Sequence, residues 1–509
     1  MSLLHFLDDR LNPLLLRELR QLVRNRYVIV LINLFVAVLV AVCVCTVLFV
    51  DRPMDRAIGG RLFYGLTGIM GLACFLTVIV YTAVVTATER INDDLMFVSA
   101  LKPSQIVLGK FFSGVILTFL LMSITFPFVT LAYLLRGLDF HVMLISFGMT
   151  FLFIQAMNSL AIFIFSGAKT YSQMFVGFAV AGFLSMYGTG ALGSSLFFFI
   201  YRSYARTGGS DWTPILSMTL AQLGLLFFFL AAATATIAPP TANRLLPLRI
   251  VVTAVFLLSL PYCAWLFWGT FDIFHVWAGF WLFALIPLLA LAVSERESWT
   301  YRIKKTIPDN FVLRMLVFPF YTGAPCGLVW VFLLGAFITL VVLSVGLHRA
   351  SSAFGDFWMV PFDVLFAFNY CATALLLRSF LFPKLSSNKT VAIAAALLLL
   401  FTFGSMLIFY LVKSDLNFEE YSAHFLSALN PFLLANGSDQ TVRLFAMSTW
   451  TIILLVPFLF WFGLRVREFT PSPPSDMMTF EDAVAAVEYA DENPMVKGPG
   501  VRDSSLEKS

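Results

Sequence analysis

The feature that most constrains this chain is a series of apolar runs separated by short polar segments. A run of roughly 20 residues crosses the hydrocarbon core of a bilayer as a helix. Twelve such runs can be placed, and they begin near Tyr27, Leu62, Phe111, Val142, Gln173, Ile215, Ile250, His275, Cys326, Val360, Val391 and Leu444. The sequence therefore predicts an all-α, polytopic integral membrane protein with about twelve transmembrane helices.

Composition agrees with this class, because only 12% of the residues are charged, against about a quarter in soluble proteins. The fifth run is the least regular, since it leads into the glycine-rich stretch "YGTGALGSSLFFFIY". Its glycines indicate either a broken helix or re-entrant turn, or a loose loop, and both interpretations stay open.

Positive charge is distributed unevenly across the twelve predicted spans. With the N-terminus inside, 24 of the 33 Lys and Arg residues fall on the inner side. Because inner loops of membrane proteins carry an excess of Lys and Arg, both termini are expected to be cytoplasmic. No cleavable signal is expected, since Asp8, Asp9 and five Arg precede the first run without a small-residue cleavage site.

Several kinds of site are not expected. The six Cys lie in or beside predicted spans and are interpreted as packing residues, while the five His are too scattered for a metal site. Gly109-Lys110 and Lys389-Thr390 lack the upstream glycine of a phosphate-binding loop. We therefore expect no catalytic residues, no metal and no cofactor bound by this chain, which should not hydrolyse ATP itself.

The predicted spans carry no carboxylate, His or Lys near their centres, which disfavours an ion-coupled transporter. Asp363 and Arg378 lie toward opposite ends of the tenth run, where they are expected to reach the interface. Gln155, Asn158 and Asn369 are the neutral polar groups at mid-depth. They either form hydrogen bonds between helices or line a transport path.

Residues 1–26 are expected to include a basic amphipathic helix. "NPLLLRELRQLVRNR" places leucines on one face and Arg17, Arg20 and Arg24 on the other. Such a helix either lies flat on the inner leaflet or serves only as a positive anchor.

The polar stretch "TERINDDLMFVSALKPSQIVLGK" joins the second and third runs on the predicted inner side. It is interpreted as a short helix ending at Lys102-Pro103, followed by a second helix capped by Ser104. Leu95, Val98 and Leu101 form an apolar ridge. This ridge either docks into a partner's groove or belongs to a hairpin at the membrane surface.

This stretch resembles the first cytoplasmic loop of the permease subunits of type-2 ABC exporters. Glu-Arg, a leucine, a proline and "IVLGK" follow one another in the order that this family shows, although two aspartates replace its usual Gly-Thr and "LKPS" its Pro-Leu-Ser. "NPLLLREL" and "FPFVTLAYLLRG" are similar to the family as well. The resemblance covers residues 12 to about 240. It implies coupling to an ATPase partner through Glu89, Arg90, Asp93, Asp94, Leu95, Leu101, Lys102, Pro103, Gly109 and Lys110.

The second half is predicted to repeat the first as six further helices. The eighth run is followed by Glu295-Arg296 and a long basic loop, in which Pro308 aligns with Pro103. Asn369 likewise aligns with Asn158. If the repeat holds, Glu295, Arg296 and Pro308 belong to a second coupling loop, and one chain could supply both halves of a transporter.

Four regions are expected: the interfacial helix in 1–26, a six-helix permease-like unit in 27–240, a second six-helix unit in 241–467, and a tail in 468–509. The tail has 9 acidic and 3 basic residues and is expected to be mostly disordered.

The resemblance implies a permease of the bacterial inner membrane that exports a substrate and pairs with two copies of an ABC ATP-binding subunit, which hold ATP and Mg²⁺. A homo- or hetero-dimer of permeases is one arrangement that the family allows. Its remaining partner would be the lipid bilayer, and no nucleic acid is expected. The alternatives are a non-transporting polytopic scaffold and an ion-independent secondary transporter.

Overall fold

The computed structural model describes residues 20, 24, 26–48, 58–91, 102–135, 140–167, 212–239, 242–266, 272–349, 359–383, 385, 389–413 and 440–471. Every secondary-structure element among them is helical, which confirms the all-α prediction. The predicted disposition of the termini stays a prediction.

The α-helices of the described residues are α1 (Arg26–Leu48), α2 (Ile58–Cys74), α3 (Val80–Ile91), α4 (Pro103–Leu134), α5 (Phe140–Ser166), α6 (Thr213–Ile237), α7 (Leu246–Leu266), α8 (Asp272–Val293), α9 (Tyr301–Lys304), α10 (Phe311–Val317), α11 (Ala324–Arg349), α12 (Met359–Leu376), α13 (Lys389–Lys413) and α14 (Gln440–Glu468). A π-helical turn, Phe75–Ile79, joins α2 to α3, and another, Leu377–Leu381, extends α12. A 3₁₀ turn, Phe318–Phe320, follows α10.

Ten helices within the described residues are long and apolar enough to cross a membrane. They correspond to ten of the twelve predicted runs, so the chain is a multi-pass membrane protein. The eighth run forms α8, whose apolar part, Trp277–Val293, is shorter than the others. The fifth run lies outside the described residues, so the count of twelve stays a prediction.

The described helices divide into two compact units. In the first, which contains α1 to α7 and α8 up to Trp277, α2 packs against α4 and α5 against α6. Leu66 and Leu117 are fully buried between α2 and α4, and small residues such as Ala156 and Ala233 bring α5 close to α6. Close approach through small residues is the usual way in which membrane helices associate.

The second unit comprises Thr241–Asn243 and the chain from Ala278 onward. Here α12 packs against α11, α13 and α14. Three aromatic rings join its helices, since the ring centroids of Tyr370 and Trp450 are 5.0 Å apart and those of Phe401 and Trp450 are 5.6 Å apart. The outer face of α13 exposes leucines and Phe403, as expected for a helix that faces lipid.

α4 begins earlier than the apolar run that predicts it. Pro103 is its first residue, Lys102 is the N-cap, and the Lys102 backbone N–H donates to Gln105 Oε1 over 3.0 Å. The prediction that Ser104 caps this helix is therefore wrong. Proline is favoured at the first helical position because its missing N–H needs no partner there, and this preference moves the start back to Pro103.

Candidate functional site in the segment between α8 and α11

The segment from Ser294 to Gly323, here called the linking segment, is a folded element and not an extended loop. It contains α9, α10 and the 3₁₀ turn around its own small apolar core. Buried members of that core are Trp299, Ile303, Ile307, Phe318, Tyr321, Cys326 and Phe469. Because burial of apolar side chains stabilises packed structure, this core gives the segment a defined shape.

Phe469 belongs to this core although the sequence places it in the tail. Its ring centroid lies 4.9 Å from that of Phe318 and 5.1 Å from that of Trp299. Residues 468–509 are predicted to form a mostly disordered tail, and of these the structure describes 468–471, with Glu468 as the last residue of α14. Residues 472–509 lie outside the described residues.

Hydrogen bonds close the two ends of the linking segment onto each other. The carboxylate of Glu295 accepts from the backbone N–H of Gly323, and Trp299 Nε1 donates to the Thr322 carbonyl over 2.8 Å. The Ala324 N–H donates to the Arg296 carbonyl over 3.0 Å. The end of α8 and the start of α11 are therefore tied together at this point.

Asn243 holds the same turn from another part of the chain. Its Nδ2 donates to the Phe320 carbonyl over 3.3 Å, and its Oδ1 accepts from the Thr322 N–H over 2.9 Å. The sequence interpretation did not single out Asn243, since an asparagine between two apolar runs is also a common loop residue.

An ionic cluster connects the linking segment to the ends of two membrane helices. The carboxylate of Glu297 pairs with Arg378, which lies in the π-helical turn after α12, and with Arg465 Nη2 of α14 at 2.8 Å. Trp461 Nε1 also donates to Glu297 over 3.4 Å. The side chain of Glu297 is only 12% exposed and that of Arg378 only 8%. Each of these buried charges depends on the other, because removing either one would leave its partner buried without a counter-ion.

This cluster corrects the expectation that Arg378 reaches the interface by snorkelling. The guanidinium is enclosed by protein and ion-paired, and it also donates to the Leu385 carbonyl over 3.5 Å. Glu297 and Arg465 were missed by the sequence interpretation. A usable signal existed, since an arginine within a membrane helix needs a carboxylate partner and "SERESW" supplies two carboxylates.

Asn158 forms a polar contact among three helices of the first unit. Its Oδ1 accepts from Thr82 Oγ1 of α3 over 2.9 Å, and its Nδ2 donates to the Phe111 carbonyl of α4 over 3.3 Å. Gly114 of α4 makes room for this amide, since a Cβ there would lie 2.3 Å from Asn158 Nδ2. These contacts favour the interpretation that Asn158 forms hydrogen bonds between helices over the one in which it lines a transport path.

Replacing Asn158 by alanine is expected to lower the free energy of unfolding by about 1–2 kcal/mol, because two interhelical hydrogen bonds are lost at about 0.6 kcal/mol or more each. Thr82→Val removes one of the two bonds and should cost about half as much. Thermal or denaturant unfolding in mild detergent measures both variants. An Asn158→Ala protein that keeps full stability would contradict this assignment and favour the transport-path reading.

The other two mid-depth polar residues differ from each other. Asn369 of α12 is buried, and its Nδ2 donates to Thr451 Oγ1 of α14 over 3.0 Å. Gln155 is also buried, but neither of its amide atoms has a hydrogen-bond partner among the residues that the structure describes. Asn369 therefore links helices. For Gln155, both a role between helices and a role in a transport path stay open.

The residues predicted to couple to an ATPase partner in the first half lie in different environments. Glu89 and Arg90 lie in the last turn of α3, Lys102 is exposed, and Pro103 begins α4. Gly109 and Lys110 are buried inside α4, which leaves them no surface for a partner. Residues Asp93, Asp94, Leu95, Val98, Leu101 and Arg17 lie outside the described residues, as does the side chain of Asp363.

In the second half, Arg296 is exposed, Glu295 is buried, and the Pro308 carbonyl accepts from Arg314 Nε over 3.2 Å. Pro308 precedes the short helix α10, whereas Pro103 begins a spanning helix. The predicted repeat, and with it the division into two six-helix units, stays a prediction.

Two arginines of the predicted interfacial helix are described, and both Arg20 and Arg24 are helical and exposed. Among the described residues, no group of His, Cys, Asp and Glu is arranged to hold a metal ion.

Comparisons of the chain with protein-family models, with curated proteins and with solved structures found no match.

Proposed function

We propose that this chain is the membrane-spanning permease of an ATP-binding-cassette transporter in a bacterial cytoplasmic membrane, and that it exports a substrate with ATP hydrolysed by a separate subunit. The observation that carries the proposal is the bridge from the linking segment to the ends of α12 and α14 through Glu297. The sequence resemblance in the first half supports the same assignment.

A permease without its own ATP site needs a rigid element through which another protein moves the membrane helices. The linking segment has the properties of such an element, since it has an apolar core, is closed by hydrogen bonds at Gly323, and is ion-paired to two spans. A displacement of this segment must move the ends of α12 and α14 or break a buried ion pair.

The surface offered to the partner is polar. Arg296 and Asp309 are exposed on the linking segment. In the first half, the sequence resemblance assigns Glu89 and Arg90, in the last turn of α3, to the partner surface, together with Lys102, which is exposed before α4. Exposed charges of both signs direct the orientation of a partner more than they raise its affinity.

Co-purification tests this proposal. The tagged chain, extracted in mild detergent, should carry with it a subunit that contains the phosphate-binding loop G-x-x-x-x-G-K-[ST] and hydrolyses ATP in a Mg²⁺-dependent manner. Reversing charge at Glu89 and Arg90, or at Arg296 and Asp309, should reduce the recovered ATPase activity strongly.

Lys389→Glu is the matched control, because Lys389 is exposed at the start of α13, on the same predicted side of the membrane but outside the proposed surface. It should leave recovery unchanged. Absence of any ATP-hydrolysing subunit from the unaltered protein would overturn the proposal. That result would favour a non-transporting scaffold or an ion-independent secondary transporter, which transport by the purified chain alone would distinguish.

A further inference from the structure

α10 exposes nearly all of its large apolar side chains. Phe311, Val312, Leu313, Met315 and Leu316 are each at least 50% exposed, and none of the seven residues of the helix is buried. Single exposed apolar residues are common on proteins, but five together on one short helix form a patch that needs a covering surface.

The exposed side chains cover a broad arc. At about 100° per residue, the five apolar positions span roughly 200° of the helix circumference. The two remaining positions are used by the protein itself, since Arg314 donates to the carbonyls of Pro308 and Asp309, and Val317 packs against the core of the linking segment. A helix that docks into a protein groove needs only a narrower stripe of about 100°. The broad arc fits immersion in a fluid apolar medium.

The position of α10 is fixed beside the start of a membrane span. Asn310 caps the helix by accepting from the Val312 N–H over 3.1 Å, and buried Phe318 follows its last residue. The next helix, α11, begins at Ala324 and is one of the ten candidate spans. Since the start of a span lies near the membrane surface, α10 is held close to that surface.

The charges around α10 are mainly basic. Arg302 and Lys305 are exposed on the preceding turn, and Lys304 is half-buried beside them. Asp309 is the acidic residue that lies between them and α10. A short apolar helix beside basic residues is typical of segments that lie in the interface of an anionic leaflet.

We propose that α10 lies in the plane of the membrane interface, with its five exposed apolar side chains at the boundary between headgroups and acyl chains. Arg302 and Lys305 then face the phosphates of anionic lipids. This arrangement does not rest on the proposed transport function. Because α10 is then covered by lipid, a partner that binds the linking segment would contact the polar surface that precedes α10.

The test is a spin-label experiment on the full chain in phosphatidylcholine nanodiscs with and without phosphatidylglycerol. Nitroxides are placed at Met315→Cys and Leu316→Cys in a background in which Cys45, which is exposed, is replaced by alanine. Asp309→Cys is the water-facing reference, and Phe403→Cys on α13 is the lipid-facing reference; both positions are exposed. Collisions with oxygen report lipid, and collisions with a water-soluble nickel chelate report water.

We expect the labels at 315 and 316 to resemble the label at 403, with an oxygen-to-nickel ratio several-fold above that at 309. Omitting phosphatidylglycerol, or replacing Arg302 and Lys305 by glutamine, should lower that ratio several-fold. A nickel accessibility at 315 and 316 equal to that at 309 would overturn the proposal. If those labels then lost nickel accessibility only when the ATP-binding subunit was added, α10 would be a protein-docking helix instead. Because the nanodiscs contain no ATP-binding subunit, this proposal and the transport proposal can fail separately.

Discussion

Replacing Glu297 by glutamine should lower the free energy of unfolding by about 3–5 kcal/mol, which is the usual cost of breaking a buried ion pair by removing one partner. Glutamine keeps the size of the side chain but leaves Arg378, only 8% exposed, without a counter-ion. Arg465 loses the same partner, although it keeps its bond to Glu468 Oε1 at 3.0 Å.

Glu468→Gln is the control for this prediction. It also removes a carboxylate from Arg465, but Glu468 is 41% exposed, and surface ion pairs of this kind contribute about 0–1 kcal/mol. Thermal unfolding in detergent should therefore separate the two glutamine variants clearly. Equal stability of the two proteins would show that the Glu297 cluster does not hold the linking segment to the spans.

A second substitution distinguishes loss of the ion pair from a general intolerance of change at this position. Combining Glu297→Gln with Arg378→Met removes the unpaired cation and fills its volume with an apolar side chain. Because an apolar replacement of a buried pair is often neutral, the double variant should regain much of the lost stability. A double variant as unstable as the sum of the two single ones would mean that the residues act independently.

The membrane helices were predictable because each one can be identified from its own stretch of sequence. A run of about 20 apolar residues identifies a span without any knowledge of its neighbours. Ten of the predicted runs are spanning-length helices for this reason. The start of α4 was misplaced by two residues because Ser104 was taken as the cap, whereas the helix begins where proline is favoured, at Pro103, with Lys102 as the N-cap.

The linking segment was less predictable because its structure depends on contacts between distant residues. The sequence predicted only a long basic loop in "SERESWTYRIKKTIPDNFVLR", whereas this stretch contains α9 and α10. The roles of Glu297 and Phe469 depend on residues more than 80 positions away, which are brought near only by the packing of α12 and α14. Hydrophobic periodicity carries no information about such pairs.

Gly323→Ala is expected to have the second large effect, a loss of about 2–6 kcal/mol in the free energy of unfolding. Gly323 has a φ angle of +142°, a conformation that costs a non-glycine residue on the order of 1–3 kcal/mol. An alanine Cβ would also lie 2.9 Å from Trp299 Nε1. Moving the indole would weaken its bond to the Thr322 carbonyl and open the core around it, which typically costs a further 1–3 kcal/mol.

The reactivity of Cys326 gives this prediction a local measurement. Cys326 is fully buried in the core of the linking segment, and Cys74 is fully buried in the other unit. Gly323→Ala should make Cys326 react faster with a maleimide while Cys74 stays protected, because the disturbance begins at Trp299. Gly279→Ala in α8 is the control, since a Cβ there meets nothing within 4 Å and should leave both cysteines unchanged. If Gly323→Ala also left Cys326 unreactive, the closure of the segment at Gly323 would not be what keeps it folded against α11.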